Sequence, residues 1–351
     1  MKRILSKQIA MLAILMMVFV YTGCSDDDDD NPTNPGGGGE TNQFDVVTTA
    51  GDTYFDDYNT IGGQGVNIPA SAFFSAYDPA DPSYYVVDMR RPDDYAGAHI
   101  MGSVNITLGN LVDEIDNLPT DQTILFTCYS GQTASFATSI VNLIGTITGH
   151  EAVNLKFGAS GILPSNLINA SGDYSYGNSN QYVLDFVQTA APAKPAAGDF
   201  PTVMSETEDA VAFLKERAVA AVATWADGSC RMSPGDAVSH DPNSVMLINY
   251  FSEAAYADGH LPNAYQYTPK SSILTTGDLN TLPTDMPVAF YCYTGQTSAQ
   301  VAAYLQMAGY DAMTVMYGVN GMCYDDTTIN DVQWHGPEND YTSIFEGTGL
   351  N

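Results

Sequence analysis

Two hexapeptides of the form Cys-Tyr-[Ser/Thr]-Gly-Gln-Thr, at residues 128–133 and 292–297, carry the residue types in this chain that could do covalent chemistry. In each copy the Cys ends an apolar run and precedes a Gly-containing turn that opens a helical stretch. A thiol in that position faces backbone amides and the positive end of a helix dipole. Such surroundings favour thiolate, move a Cys pKa from about 8.5 toward neutrality, and would hold a persulfide equally well. Cys128 and Cys292 are therefore the candidate nucleophiles. Gly131 and Gly295 can take the positive φ of a tight turn, and Thr133 and Thr297 are placed to cap the helices that follow.

The elements that must position these loops are themselves duplicated. Leu118-Pro119-Thr120-Asp121 and Leu282-Pro283-Thr284-Asp285 precede the two loops, and both blocks are offset by the same 164 positions. The 351 residues are enough for two domains, each with its own core. A Pro/Ala/Gly stretch at residues 189–199 reads as a linker between halves 44–188 and 200–351. Within each half, short apolar runs at 85–87 and 123–126, or 245–248 and 288–291, suit strands buried on both faces. After each loop come apolar residues at helical spacing: Phe136, Ala137, Ile140, Val141 and Ile144, then Val301, Tyr304, Leu305 and Ala308. Gly145 and Gly309 stand where those helices are expected to stop. This alternation predicts an α/β fold in each half, an open, mainly parallel sheet flanked by helices with both Cys loops at the carboxyl ends of strands.

The N-terminus reads as an export signal. Lys2, Arg3 and Lys7 precede an apolar run from Ile9 to Tyr21, shorter than the ~20 residues that span a bilayer as a helix. Thr22-Gly23-Cys24 then resembles a bacterial lipobox, with Tyr21 where Leu or Val is usual. The expectation is a signal peptide at 1–23, lipidation at Cys24 and an acidic, Gly-rich tether at 24–43 that does not fold. The protein is then held in the cell envelope by a lipid anchor, on the periplasmic or the outer face. The net charge of −30 argues against nucleic acid and anionic lipid as partners. No calcium loop or zinc spacing is present in the sequence, and no cofactor is expected.

Each half resembles a rhodanese domain. The resemblance rests on Asp88-Met-Arg90, Asp94-Tyr95 and His99-Ile100 before Gly102 in the first copy, and on Tyr256, Gly259-His260-Leu261 and Ala264 in the second. It rests also on the stretches that begin Phe157-Gly158 and Tyr317-Gly318, which look like the turn after the family's last core strand. It implies that Cys128 and Cys292 accept a sulfane sulfur and pass it to a thiol acceptor. Tyr129, Ser130, Gly131, Gln132 and Thr133, with Tyr293, Thr294, Gly295, Gln296 and Thr297, would form the substrate cradles. Asp88, Arg90, His99 and His260 correspond to positions that hold the fold together.

The sequence departs from the family in three places. Both loops lack the Arg or Lys usual in thiosulfate-using members, which points to a persulfide, polysulfide or other thiol-bound sulfur as donor. Gln132 and Gln296 occupy a place often held by another residue, and Asn249 and Phe251 replace the Asp-x-Arg pair in the second half. Two other readings stay open: a surface-tethered binding module with silent thiols, and a thiol redox exchange protein. Cys230 and Cys323 are either a disulfide pair or two free thiols. His150, His240 and His335 read as surface residues, and Trp334 with the many Tyr as packing.

Overall fold

The computed structural model describes residues 41–63, 65–80, 82–337 and 342–350, and the repeated sequence becomes a repeated sheet. The first copy runs from α1 (Phe44–Asp57) through β1 (Asn67–Ile68), β2 (Tyr84–Asp88), β3 (Val104–Asn105) and β4 (Thr123–Thr127) to α2 (Gln132–Thr148) and β5 (Ala152–Leu155). The second runs from α3 (Ala210–Asp227) through β6 (Arg231–Met232), β7 (Met246–Asn249), β8 (Tyr265–Gln266) and β9 (Val288–Tyr291) to α4 (Gln296–Met307) and β10 (Ala312–Val315). The strand orders are β1-β5-β4-β2-β3 and β6-β10-β9-β7-β8, the same topology twice, and every pair is parallel. β5, β7 and β9 are buried along their whole lengths and β4 past its first residue, as continuous apolar runs require.

Helix α2 does not stop at Gly145. It continues to Thr148 and ends on a left-handed Gly149, φ 90°. Gly145 serves a close approach instead, because a Cβ there would meet the His150 carbonyl at 2.1 Å. In the second copy the expected end holds, with α4 closing at Met307 and Gly309 left-handed at φ 94°. His150 is correspondingly not a surface residue: it is buried, with its ring nitrogens 2.7 Å from Thr148 Oγ1 and 3.1 Å from the Leu118 carbonyl. His240 is partly buried against the Ala237 carbonyl, while His335 is exposed.

Helices α2 and α4 pack on their own sheets and against each other, with α1 and α3 completing the contact. That arrangement explains why α2 is buried on both faces: Ser135, Thr138, Ser139 and Asn142 are as inaccessible as Phe136, Ile140 and Ile144. On one flank the junction is polar. Gln300 on α4 donates to Asn154 at 2.9 Å and accepts from Tyr58, whose hydroxyl also receives Asn67 Nδ2 at 2.8 Å. On the other flank Phe136, the counterpart of Gln300, packs against Trp225 with ring centroids 4.8 Å apart.

The tails after each sheet cross over. Past the first domain, Ser179 and Tyr182 donate to the Asn320 and Met322 carbonyls, and Val187 bridges His260. Past the second, Phe345–Glu346 pairs antiparallel with His99–Ile100 of the first domain. The described residues accordingly form one compact unit. At its start Thr41–Asn42, the end of the expected tether, pairs with Met204–Ser205. The expected signal peptide, Cys24 and residues 24–40 of the tether lie outside the described residues. No helix among the described residues is long and apolar enough to cross a membrane.

Candidate active site

Each loop is built by the same local device. The strand ends, Gly131 or Gly295 turns left-handed at φ 86° or 75°, and the helix starts at the next residue. Thr133 and Thr297 do not cap these helices: the glycines occupy the N-cap position and have no side chain to accept a hydrogen bond. The first loop's amides turn inward to sulfur instead. Gly131 and Ala134 donate N–H to Cys128 Sγ at 3.2 and 3.4 Å. Cys128 is only 1% exposed, and burial pushes its thiol above the ordinary value, against the opposing pull of the Ala134, Ser130, Gly131 and Thr133 amides. The expected depression of the thiol pKa is thus reversed at Cys128, because desolvation outweighs the amide cradle.

The second loop differs at the sulfur. Ala134 is replaced by Ser298, whose hydroxyl lies 3.5 Å from Cys292 Sγ and 2.8 Å from Thr314 Oγ1. Cys292 lines a cleft of about 410 Å³, together with Tyr293, Thr294, Gln296 and Thr297 of its own loop. The opposite wall comes from the first domain: Tyr58, Asn67, Pro69 and Lys156. Lys270 completes the lining. Burial pulls its amine below the ordinary value, its Nζ reaches Asn59 Oδ1 at 2.5 Å, and its own backbone is left-handed at φ 71°.

Both hexapeptides are neutral, but Lys156 and Lys270 reach the Cys292 cleft from elsewhere in the chain, and Arg91 reaches the first loop. There the Tyr129 hydroxyl donates to Asp94, which also pairs with Arg91 at 2.9 Å and accepts from Ala170 N at 2.6 Å. Burial works against charge on Asp94, yet Tyr129, Ala170 and Arg91 together hold its carboxyl below the ordinary value. The scarcity of basic residues, 11 in the chain, is the one sequence signal that could have drawn attention to these lysines.

The supporting residues behave as structure. Asp88 and Arg90 form a buried pair at 2.6 Å, with the guanidinium also donating to the Ile168 and Ala98 carbonyls. In the second copy Asn249 donates to Tyr291 Oη at 2.9 Å, and Phe251 stacks on Tyr293 with centroids 4.1 Å apart. His99 and His260 each stack on the tyrosine four residues earlier and meet its carbonyl at 2.7 and 2.8 Å. Trp334 stacks on Tyr176 at 4.8 Å, so both serve packing.

The turns after the last strands close each loop from behind. Ala159 N donates to the Cys128 carbonyl at 2.7 Å and Ser160 N to that of Tyr129 at 3.0 Å; Val319 and Asn320 do the same for Cys292 and Tyr293 at 2.9 and 3.0 Å. Of the expected cradle residues, Ser130, Gly131 and Thr133 turn their amides to the first thiol and Tyr293, Thr294 and Thr297 line the cleft of the second, whereas Tyr129 directs its hydroxyl to Asp94 and Gly295 makes the turn. Gln132 and Gln296 are buried and reach into the opposite domain. Cys230 and Cys323 are two free buried thiols, each pushed up to about 11 mainly by burial. No cluster of three or more His, Cys, Asp or Glu suited to a metal occurs among the described residues.

The rhodanese-like domain matches the chain twice, at residues 76–163 and 237–321. Among solved structures, a protein from Staphylococcus saprophyticus is 20% identical over 27% of this chain and 89% of its own, with a TM-score of 0.24. A rhodanese-like domain protein from Staphylococcus aureus is 17% identical over 27% and 87%, TM-score 0.24. A thiosulfate sulfurtransferase from Pseudomonas aeruginosa is 15% identical over 85% of this chain and 49% of its own, TM-score 0.29. No curated protein matches.

Proposed function

We propose, for a chain that is a tandem rhodanese-like protein, that it carries and transfers sulfane sulfur, with Cys292 as the entry site and Cys128 as a second, slower carrier. The observation that carries this reading is the lining of the 410 Å³ cleft, which brings Cys292 together with two lysines. The Cys292 thiolate attacks the outer sulfur of a persulfide or polysulfide, forming a Cys–S–S anion and releasing the donor's inner sulfur as a thiolate. A thiol acceptor, as thiolate, then takes the terminal sulfur and returns the Cys292 thiolate, so no net redox agent is required. Lys156 and Lys270 suit an anionic donor, which removes the charge argument against thiosulfate at this cleft while leaving a persulfide as the favoured donor. Both thiols are buried, Cys128 at 1% and Cys292 at 4% exposure, and the raised pKa of Cys128 favours a silent or slow thiol in the first domain.

Work in the cell envelope, on a lipid anchor at Cys24, fits the export-like N-terminus. The test is mass spectrometry after polysulfide exposure, paired with cyanide release of the loaded sulfur. The expected result is one added sulfur on the Cys292 peptide, removable by cyanide and abolished at that peptide in Cys292→Ser. Loading on Cys128 alone would reverse the assignment. Loading on neither would leave the binding-module reading, and trapped mixed disulfides without sulfur loading would favour redox exchange.

A further inference from the structure

The two loops are joined by an exchange of glutamine side chains. Gln132, the first residue of α2, accepts from Tyr317 N at 3.1 Å, and its amide nitrogen lies 3.7 Å from Met316 Sδ. Gln296, the first residue of α4, accepts from Phe157 N at 3.1 Å and donates to the Leu155 carbonyl at 3.5 Å. Phe157 and Tyr317 are left-handed non-glycine residues, φ 63° and 61°, a conformation that such side chains resist and that external support must hold. Two residues further on, the same turns clamp the carbonyls of Cys128 and Cys292. The path is continuous: the glutamine of one loop holds the turn that holds the other loop's cysteine.

The glycines of the hexapeptides make room for this exchange. A Cβ on Gly131 would come within 2.2 Å of Gln296 Nε2, and one on Gly295 within 2.1 Å of Gln132 Nε2. The turn glycines are thus demanded twice, by their positive φ and by the passage of the opposite glutamine.

We propose that Gln132 and Gln296 are positioning residues that act across the domain junction, each setting the reactivity of the other domain's cysteine rather than of its own. The two thiols of one chain then respond to one another, since displacement of either loop withdraws a support from its counterpart. The inference concerns the thiols assigned to sulfur transfer, but thiol alkylation tests it whether or not sulfur is transferred.

The variants are Gln132→Met and Gln296→Met, which keep the side-chain length and remove the hydrogen bonds. Iodoacetamide labelling of the otherwise native protein, resolved by peptide mass across a pH series, reads each cysteine separately. Gln296→Met is expected to speed labelling of Cys128 about fivefold, and Gln132→Met that of Cys292 by a similar factor, the scale of one net hydrogen bond. The cysteine in the variant's own loop should change less. A larger change at the variant's own cysteine, or no change at either, would overturn the proposal. Should a variant not fold, hydrogen exchange on the unmodified protein decides: the Phe157 and Tyr317 amides, both outside helices and strands, must exchange slowly. Rapid exchange at either one rejects the linkage.

Discussion

At the residue scale the two sulfurs are unequal although their loops are nearly identical. Burial raises the Cys128 thiol, so in the folded state the neutral form is preferred; that stabilises the fold below the ordinary thiol range and is lost as pH rises through the folded pKa. Labelling of Cys128 should accordingly reach its half-maximal rate above the ordinary thiol pKa of about 8.5, as read from alkylation rate against pH; a midpoint near neutrality would contradict the burial argument. At the other thiol, Lys270→Ala and Lys156→Ala each remove a positive charge from the Cys292 cleft. An anionic sulfur donor should then show a KM raised about threefold to tenfold, on the scale of one screened charge contact, with kcat less affected. A neutral donor trisulfide measured alongside should show no such change.

At the element scale, the turn between strand and helix is the most constrained segment of either domain. Gly295→Ala combines a φ of 75° with a Cβ 2.1 Å from the Gln132 amide, and should cost about 1–3 kcal/mol of stability by thermal or denaturant unfolding. Asp88 and Arg90, at the carboxyl end of β2, are buried against each other, so Arg90→Ala strands a carboxylate and should cost about 3–5 kcal/mol. The second domain reaches the same local shape without an ion pair, through Asn249 with Tyr291 and Phe251 with Tyr293. Phe251→Ala is expected to loosen Tyr293 over Cys292 and alter labelling there, with little effect at Cys128.

At the scale of the whole molecule, the repeats are not beads on a string. Helix α2 packs against α3 and α4 of the opposite domain, and each domain's tail finishes on the other. Phe345 is buried in the first domain's core although it follows the second in sequence, and Phe345→Ala should cost about 3 kcal/mol. Calorimetry of the full chain should show one cooperative unfolding transition. Two resolved transitions would mean that the domains are energetically separate despite their shared junction.

The sequence alone determined the duplication, the parallel α/β class and the position of two cysteines at strand-to-helix turns, because a hexapeptide repeated at a fixed offset and apolar runs of strand length are local signals. It also marked Gly131 and Gly295 as turn residues, since a positive φ is a property of one position. The helix end at Gly149, the burial of His150 and the absence of a capping role for Thr133 and Thr297 were not legible, because each depends on what packs alongside. Only the tertiary structure decided that lysines from distant segments line the Cys292 cleft, that desolvation overrides the amides at Cys128, and that each glutamine belongs to the opposite loop. Charge, solvation and support at a site come from everything within a few ångströms, and a sequence orders residues only along the chain.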